Sequence, residues 1–131
     1  MSGVDPARRP PCVLIAEDDR FIRRTAEIAL KRQGFTVLTA EDGEAALQQV
    51  LTSAPDVVLL DLIMPKVQGF EVLRRLKQNP KTASVPVIVL SSLGQEDDVR
   101  RALAAGAAGY LVKAERYLQH LANELDKALG R

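Results

Sequence analysis

The chain of 131 residues is long enough for one domain, and its 47% of hydrophobic residues can form a sizeable core. Its 18 basic and 17 acidic residues leave a net charge of +1, which excludes a general electrostatic attraction to nucleic acid or to an acidic surface. One cysteine, Cys12, and one histidine, His120, exclude an internal disulfide and a metal site built from Cys or His ligands.

Residues 1–11 are polar and contain three of the seven prolines. We therefore expect a flexible N-terminal leader, followed by a single domain over residues 12–131. No segment approaches the ~20 consecutive apolar residues that span a bilayer, and the N-terminus lacks the apolar stretch of a signal peptide. We expect a cytoplasmic protein that contacts neither membranes nor nucleic acid directly.

From Cys12 onward, short apolar runs alternate with longer segments of helical period. Five runs are predicted to form strands: Cys12–Ala16, Thr36–Thr39, Val57–Leu60, Val85–Leu90 and Gly109–Val112. Three of these runs are continuous and rich in Val, Ile and Leu, as strands buried on both faces are.

Five helices are predicted between and after these strands. The first has an apolar face of Phe21, Ile22, Thr25, Ile28 and Ala29, the middle three are Gly43–Ser53, Gly69–Gln78 and Gln95–Ala105, and the last has an apolar face of Leu118, Leu121, Ala122, Leu125 and Leu129. Gly34 is placed to end the first helix. Strict alternation of strand and helix predicts an α/β fold with a doubly wound parallel sheet, because right-handed crossovers place helices on both of its faces.

Polar residues follow four of the predicted strands directly. The first strand leads into Glu17–Asp19, the third into Asp61, the fourth into Ser91 and the fifth into Lys113. In parallel sheets of this kind, functional residues gather at the carboxyl ends of the strands. We therefore expect carboxylates, a hydroxyl and an ammonium group to meet in one crevice.

Such a cluster of carboxylates requires compensating cations. Two like charges ~4 Å apart repel by roughly 4 kcal/mol at an effective dielectric constant of about 20. Lys113 is one candidate cation. The other is a hard divalent ion, for which Mg²⁺ fits best because it binds through one or two carboxylates together with water and phosphate oxygens. A carboxylate beside such a metal can act as a nucleophile on phosphorus.

Four motifs carry these strand-end residues. They are Val13–Asp19 (VLIAEDD), Asp56–Pro65 (DVVLLDLIMP) with Gly69, Pro86–Ser91 (PVIVLS) and Gly109–Lys113 (GYLVK). Together and in this order, over about Cys12 to Leu129, they resemble the receiver domains of two-component response regulators. Each motif alone is weak, whereas four at successive strand ends are specific. The resemblance implies a flavodoxin-like sheet of five parallel strands in the order 2-1-3-4-5, with five helices.

The resemblance also implies roles for the acidic residues. Asp61 is expected to be the phosphoacceptor, and it contributes to a Mg²⁺ site. Asp18 is expected to bind the metal directly, and Glu17 to hold it through water. The main-chain carbonyl of Ile63, two residues past the acceptor, is expected to be a further ligand.

Three other residues receive roles by the same resemblance. Ser91 is expected to hydrogen-bond the phosphoryl oxygens, and Lys113 to pair with Asp61 and then with the phosphoryl group. Tyr110 is expected to be the aromatic switch residue whose rotamer follows the state of Ser91.

Three consecutive acids leave the identity of the metal pair open, since the family uses two. Alternation along the first strand favours Glu17 with Asp18, and then Asp19 is the N-cap of the first helix. The alternative pair is Asp18 with Asp19.

The sequence departs from the family at three positions. Ala114 stands where the family usually has a proline, joined by a cis peptide, after the lysine. A cis bond before a residue other than proline costs ~2.5–4 kcal/mol, so the geometry around Lys113 is open between trans and strained cis. Ile63 and Leu93 lie two residues past Asp61 and Ser91, where side chains flank the water that attacks the aspartyl phosphate. Two apolar side chains predict a long-lived phosphorylated state.

The expected function is a phosphorelay switch, which promotes only its own phosphorylation and dephosphorylation and is not otherwise an enzyme. A histidine kinase or phosphotransfer protein donates the phosphoryl group, and a target protein docks on the face formed by the fourth helix, fifth strand and fifth helix. The alternatives are an interaction module that ignores phosphorylation, and a receiver cut from a larger regulator or hybrid kinase.

Two enzyme classes with related folds are disfavoured. A phosphohydrolase with an aspartate nucleophile needs a second acid at the position of Ile63. A flavin-binding protein needs a phosphate-binding loop after the first strand, where the acids Glu17–Asp19 would repel phosphate.

Overall fold

A computed structural model describes residues 10–64, 68–92, 94–113 and 117–130 of the chain. Residues 1–9 of the predicted leader therefore lie outside the described residues. No helix in the described part of the chain is long and apolar enough to cross a membrane.

Five strands form one parallel sheet. They are β1 (Cys12–Ala16), β2 (Thr36–Ala40), β3 (Val57–Leu60), β4 (Val87–Ser91) and β5 (Gly109–Val112). Their order in the sheet is β2-β1-β3-β4-β5, and every neighbouring pair is parallel. The predicted doubly wound, flavodoxin-like sheet with order 2-1-3-4-5 is confirmed.

Five helices connect and follow these strands. They are α1 (Arg20–Arg32), α2 (Gly43–Ser53), α3 (Gly69–Gln78), α4 (Glu96–Ala104) and α5 (Tyr117–Leu129). The limits of α2 and α3 agree with the prediction. The fourth helix is one residue shorter at each end than predicted, because Gln95 and Ala105 are its N-cap and C-cap.

The fourth strand differs more from the prediction. It begins at Val87 and not at Val85, because the amide of Val85 donates to the carbonyl of Thr82 within the preceding turn. Pro86 has no amide proton for a ladder. The strand also continues through Ser91, which pairs with Val112 of β5. Ser91 is therefore part of the sheet and is positioned by it.

The sheet is covered on both faces, and β1 shows how. Val13 and Ile15 point into one apolar cluster, which includes Leu121 of α5. Leu14 and Ala16 point into the cluster on the opposite face. Because side chains alternate along a strand, a strand buried on both faces must be apolar at every position, as this one is.

The predicted apolar face of α1 was partly wrong. The side chains of Phe21 and Ile28 are 76% and 41% exposed, whereas Ala26 and Leu30 are buried. The helix turns Ala26 and Leu30, which are four residues apart, towards the sheet. Apolar residues therefore lie on two sides of α1, and helical periodicity alone cannot tell which side packs.

Both ends of α1 are closed by residues that the sequence identified. The side chain of Asp19 accepts a hydrogen bond from the amide of Ile22, as an N-cap does. At the other end, Gly34 has a φ of +96°, and the amide of Phe35 donates to the carbonyl of Leu30. This left-handed glycine ends the helix and leads the chain into β2.

The loop after β3 packs closely against the first residue of α3. The amide of Gly69 donates to the carbonyl of Leu62 over 2.9 Å. A Cβ atom at Gly69 would collide with the carbonyl oxygen of Asp61 and with the Cα atom of Leu62. Because both are backbone atoms, neither could move aside without moving the loop.

Gly69→Ala is expected to destabilise the fold and to displace the loop that carries Asp61. Overpacking of this kind costs typically about 1–3 kcal/mol. Gly34→Ala is the matched control, since a Cβ there meets no atom within 4 Å and only the left-handed backbone is strained. Urea unfolding followed by circular dichroism measures the stability, and amide chemical shifts of residues 61–63 report the loop. Unchanged loop shifts in Gly69→Ala would contradict the expected displacement.

Candidate functional site

The parallel register brings four chain segments to one edge of the sheet. The amide of Asp61 donates to the carbonyl of Ala16 over 2.9 Å, so the residue after β3 lies beside the end of β1. The amide of Lys113 donates to the carbonyl of Ser91 over 2.8 Å, which aligns the ends of β4 and β5 in the same way. The backbone hydrogen bonds of the sheet therefore bring the candidate residues to the same edge, independently of contacts between their side chains.

Three carboxylates meet at this edge. Each of Glu17, Asp18 and Asp61 offers an oxygen atom, and these three atoms lie within 4.8 Å of one another. Glu17 is 1% exposed and Asp61 is 5% exposed, whereas Asp18 is open to solvent. The cluster is therefore a shallow acidic pocket with two buried members and one exposed member.

Lys113 is the cation that faces this pocket. Its Nζ atom lies 2.5 Å from Oε1 of Glu17 and 3.4 Å from Oδ2 of Asp61. The Lys113 side chain is 14% exposed, so both ion pairs are largely shielded from water. One ammonium group against three carboxylates leaves a negative excess when all are ionised.

Backbone and side-chain donors hold the Glu17 segment in place. The second oxygen of Glu17, Oε2, accepts from the amide of Asp19 over 3.1 Å. The guanidinium of Arg23 donates to the carbonyls of Glu17 and Asp18, at 2.8 and 3.2 Å. Arg23 was not identified from the sequence as part of the site. No sequence pattern distinguishes Arg23 from the neighbouring Arg24, because only the rotation of α1 about its axis decides which guanidinium contacts the Glu17 segment.

The environment of Glu17 raises its pKa to about 7. Burial is the main cause, because it penalises the charged carboxylate, and the negative charge of Asp61 adds to the rise. The ion pair with Lys113 and the amide of Asp19 act in the opposite direction. Glu17 therefore changes its charge near neutral pH, and it does so within the pocket.

Asp61 is oriented by its own loop. Its Oδ1 atom accepts from the amide of Ile63 over 3.2 Å, while Oδ2 faces Lys113. The Ile63 side chain is 56% exposed beside this loop. That the Ile63 carbonyl is a metal ligand stays a prediction.

Ser91 and Tyr110 are linked next to the pocket. Ser91 is completely buried, and its hydroxyl shares a hydrogen bond with the half-buried phenol of Tyr110. Burial raises the pKa of Tyr110, with further contributions from the charges of Asp98 and Asp61 and an opposing one from Ser91. The structure thus brings the predicted switch pair together, with Ser91 at the end of β4 and Tyr110 within β5.

Two predicted positions lie outside the described residues, Leu93 and Ala114. The choice between a cis and a trans bond after Lys113 falls there as well. Asp19 is the N-cap of α1, which is the role predicted for it in the alternative where Glu17 and Asp18 form the metal pair. His120 is exposed on α5.

The donor atoms of the pocket suit Mg²⁺. All three groups present oxygen atoms, which a hard divalent cation prefers, and two of the carboxylates are buried with too little positive charge around them. Glu17, Asp18 and Asp61 would hold such an ion, with the exposed side of Asp18 leaving room for water. The residues present therefore fit the cation that the sequence predicted.

Comparisons with known proteins agree with this geometry. The family profile of the response regulator receiver domain matches residues 13–125. The gliding motility regulatory protein of Myxococcus xanthus is 43% identical over 122 residues, which are 93% of this chain and 16% of that protein. The chain spans less than half the length of the first curated relatives it matches.

Solved structures give the same result. The receiver domain of the Francisella response regulator 1452 is 29% identical, with a TM-score of 0.85 over 92% of this chain and 98% of that one. The chemotaxis response regulator CheY4 of Vibrio cholerae is 28% identical, with a TM-score of 0.84 over 92% of this chain and 99% of that one.

The affinity for Mg²⁺ is expected to rise with pH and to level off above about 7. Because a cation favours the ionised form of Glu17, a proton on this group competes with it below the raised pKa. The apparent affinity should fall by up to about tenfold per pH unit there. Calorimetric titrations in buffers of different ionisation enthalpy measure both affinity and proton release. Glu17→Gln should remove the pH dependence, and Glu27→Gln on α1, whose carboxylate pairs with Lys31, should keep it. A flat profile of the wild type would contradict the assignment.

Proposed function

The chain belongs to the response regulator receiver domains of two-component systems, and on this premise we propose that Asp61 accepts a phosphoryl group in a Mg²⁺-dependent reaction. The observation that supports this most directly is the placement of Asp61, buried between the carboxylates of Glu17 and Asp18 and facing the ammonium group of Lys113. The amide of Ile63 and the ammonium group of Lys113 fix the orientation of this carboxylate, as a nucleophile requires.

The proposed reaction is a transfer between two side chains. An oxygen atom of Asp61 attacks the phosphorus atom of a phosphohistidine on a histidine kinase or phosphotransfer protein. The O–P bond forms as the N–P bond breaks, and its electron pair returns to the histidine nitrogen. Bound Mg²⁺ supplies positive charge for the phosphoryl oxygens. The protein promotes this change only on itself and is not otherwise an enzyme.

Lys113 and Ser91 respond to the new charge. Lys113 lies 3.4 Å from Oδ2 of Asp61, close enough to pair with a phosphoryl oxygen on that atom. The Ser91 hydroxyl, which shares a hydrogen bond with Tyr110, can instead donate to the phosphoryl group. Tyr110 then loses this partner and is free to change its rotamer.

This exchange supports a switch with its output at one face. Tyr110 lies on β5, an edge strand that both α4 and α5 contact, and these three elements form the proposed face. We propose that a target protein docks there and distinguishes the two states, since phosphorylation shifts an equilibrium between pre-existing conformations. The chain spans only part of the length of its curated relatives, so the functions of those proteins do not identify this target.

Incubation with acetyl phosphate and Mg²⁺ is expected to add one phosphoryl group to the wild type and none to Asp61→Asn. Intact-protein mass spectrometry measures the gain, and removal of Mg²⁺ with a chelator should abolish it. Asp18→Asn should lose most of the gain, because it removes the exposed carboxylate of the cluster.

Asp19→Asn is the matched control for this experiment. Asn caps a helix as well as Asp does, so α1 should keep its N-cap and the protein its phosphorylation. If Asp19→Asn abolished labelling and Glu17→Gln did not, the metal pair would be Asp18 with Asp19. An undiminished mass gain in Asp61→Asn would refute the proposed acceptor.

The phosphorylated state is expected to be long-lived. The exposed Ile63 lies next to Asp61, and neither it nor Leu93 can orient an attacking water by a hydrogen bond. Ile63→Asn combined with Leu93→Glu should speed the loss of phosphate by on the order of tenfold, because the polar side chains can position that water. Decay of the phosphorylated mass measures this, and Ile63→Val with Leu93→Met is the apolar control. Equal decay in both double variants would contradict the explanation.

A further inference from the structure

Helix α4 is weakly anchored to the rest of the fold. Of its nine residues, all of which the structure describes, only Ala102 is buried. Its N-cap, Gln95, makes no side-chain capping hydrogen bond. A helix that buries so little apolar surface can shift or open at a small cost in free energy. Any contact that holds α4 from the side therefore has a large influence on its position.

One such contact is a stack between α4 and α3. The guanidinium carbon of Arg101 lies 4.1 Å from the ring centroid of Phe70. A guanidinium over an aromatic face is attracted by the negative charge on that face. Phe70 is half-buried against the apolar cluster between the sheet and these helices, so its ring offers Arg101 a fixed surface.

Phe70 is in turn tied to the acceptor loop. It follows Gly69, whose amide donates to the carbonyl of Leu62 and whose position leaves no room for a Cβ atom against the carbonyl oxygen of Asp61. Movement of the Asp61 loop must therefore displace the first turn of α3. The chain of contacts from Asp61 through Gly69 and Phe70 to Arg101 reaches α4 without passing through Ser91 or Tyr110.

We propose that the Phe70–Arg101 stack is a latch that holds α4 in its present position and couples it to the loop of Asp61. The latch opposes displacement of α4, so it sets the fraction of molecules that adopt the switched conformation before phosphorylation. The first part of this inference concerns the unmodified protein alone. The coupling to phosphorylation rests on the proposed function.

Arg100 provides a matched comparison on the same helix. Among the residues that the structure describes, its guanidinium pairs with two residues of its own helix, at 3.2 Å from Glu96 and 3.5 Å from Asp97. Arg100 and Arg101 are both exposed, and Gln has nearly the helix propensity of Arg. Replacing either by Gln removes one positive charge from α4, but only Arg101→Gln removes the stack.

Hydrogen exchange of the unmodified protein tests the latch. Arg101→Gln and Phe70→Leu should each speed exchange of the α4 amides about two- to fivefold relative to wild type, the range expected for an exposed cation–π contact. The double variant should add little to either single one, since both remove the same contact. Arg100→Gln removes exposed ion pairs within α4 and should speed its exchange by no more than about twofold. Equal α4 exchange in Arg101→Gln and Arg100→Gln would overturn the proposal.

The rate of phosphorylation by acetyl phosphate tests the coupling. If α4 moves when Asp61 is modified and the switched conformation is the one that reacts, release of the latch should speed phosphorylation by a similar two- to fivefold, because it raises the population of that conformation. Faster α4 exchange with an unchanged phosphorylation rate would overturn the coupling. A wild type that takes no phosphoryl group would instead refute the proposed function, while the exchange result on the latch would stand.

Discussion

Two buried carboxylates held side by side are the constraint on which the rest of this site depends. Glu17 and Asp61 are both shielded from water, and Asp18 adds a third negative group at the surface. Lys113 offsets part of the repulsion by pairing with both buried acids. Burial, with a smaller contribution from the charge of Asp61, raises the pKa of Glu17 to about 7, and the remaining negative excess makes the pocket receptive to a divalent cation. A phosphoryl group on Asp61 would enter the same charge balance.

The sheet makes this arrangement possible because its backbone places the charged residues. The acids follow β1 and β3, and Lys113 follows β5, each at the carboxyl end of a strand. The strands themselves are buried on both faces, so their stability comes from apolar packing and not from the site. A rigid apolar sheet can therefore hold unfavourable like charges together at its edge.

The helices differ in how firmly this sheet holds them, and that difference bears on signalling. The first turn of α3 is packed against the backbone of the acceptor loop at Gly69. In contrast, α4 buries a single small side chain. A change of charge at Asp61 can thus affect both the firmly packed α3 and the loosely packed α4. Among the described residues, the Ser91–Tyr110 pair and the Phe70–Arg101 stack are contacts through which a response could reach β5 and α4.

The sequence by itself determined the alternation of strands and helices and the polar residues at the strand ends, because apolar periodicity and chain order are local properties. It also identified the caps Asp19 and Gly34. Only the tertiary structure decided which side of α1 faces the sheet, so Phe21 was wrongly predicted to pack and Arg23 was missed as a partner of the Glu17 segment. These outcomes depend on how elements rotate and approach one another, and no pattern within one element encodes that.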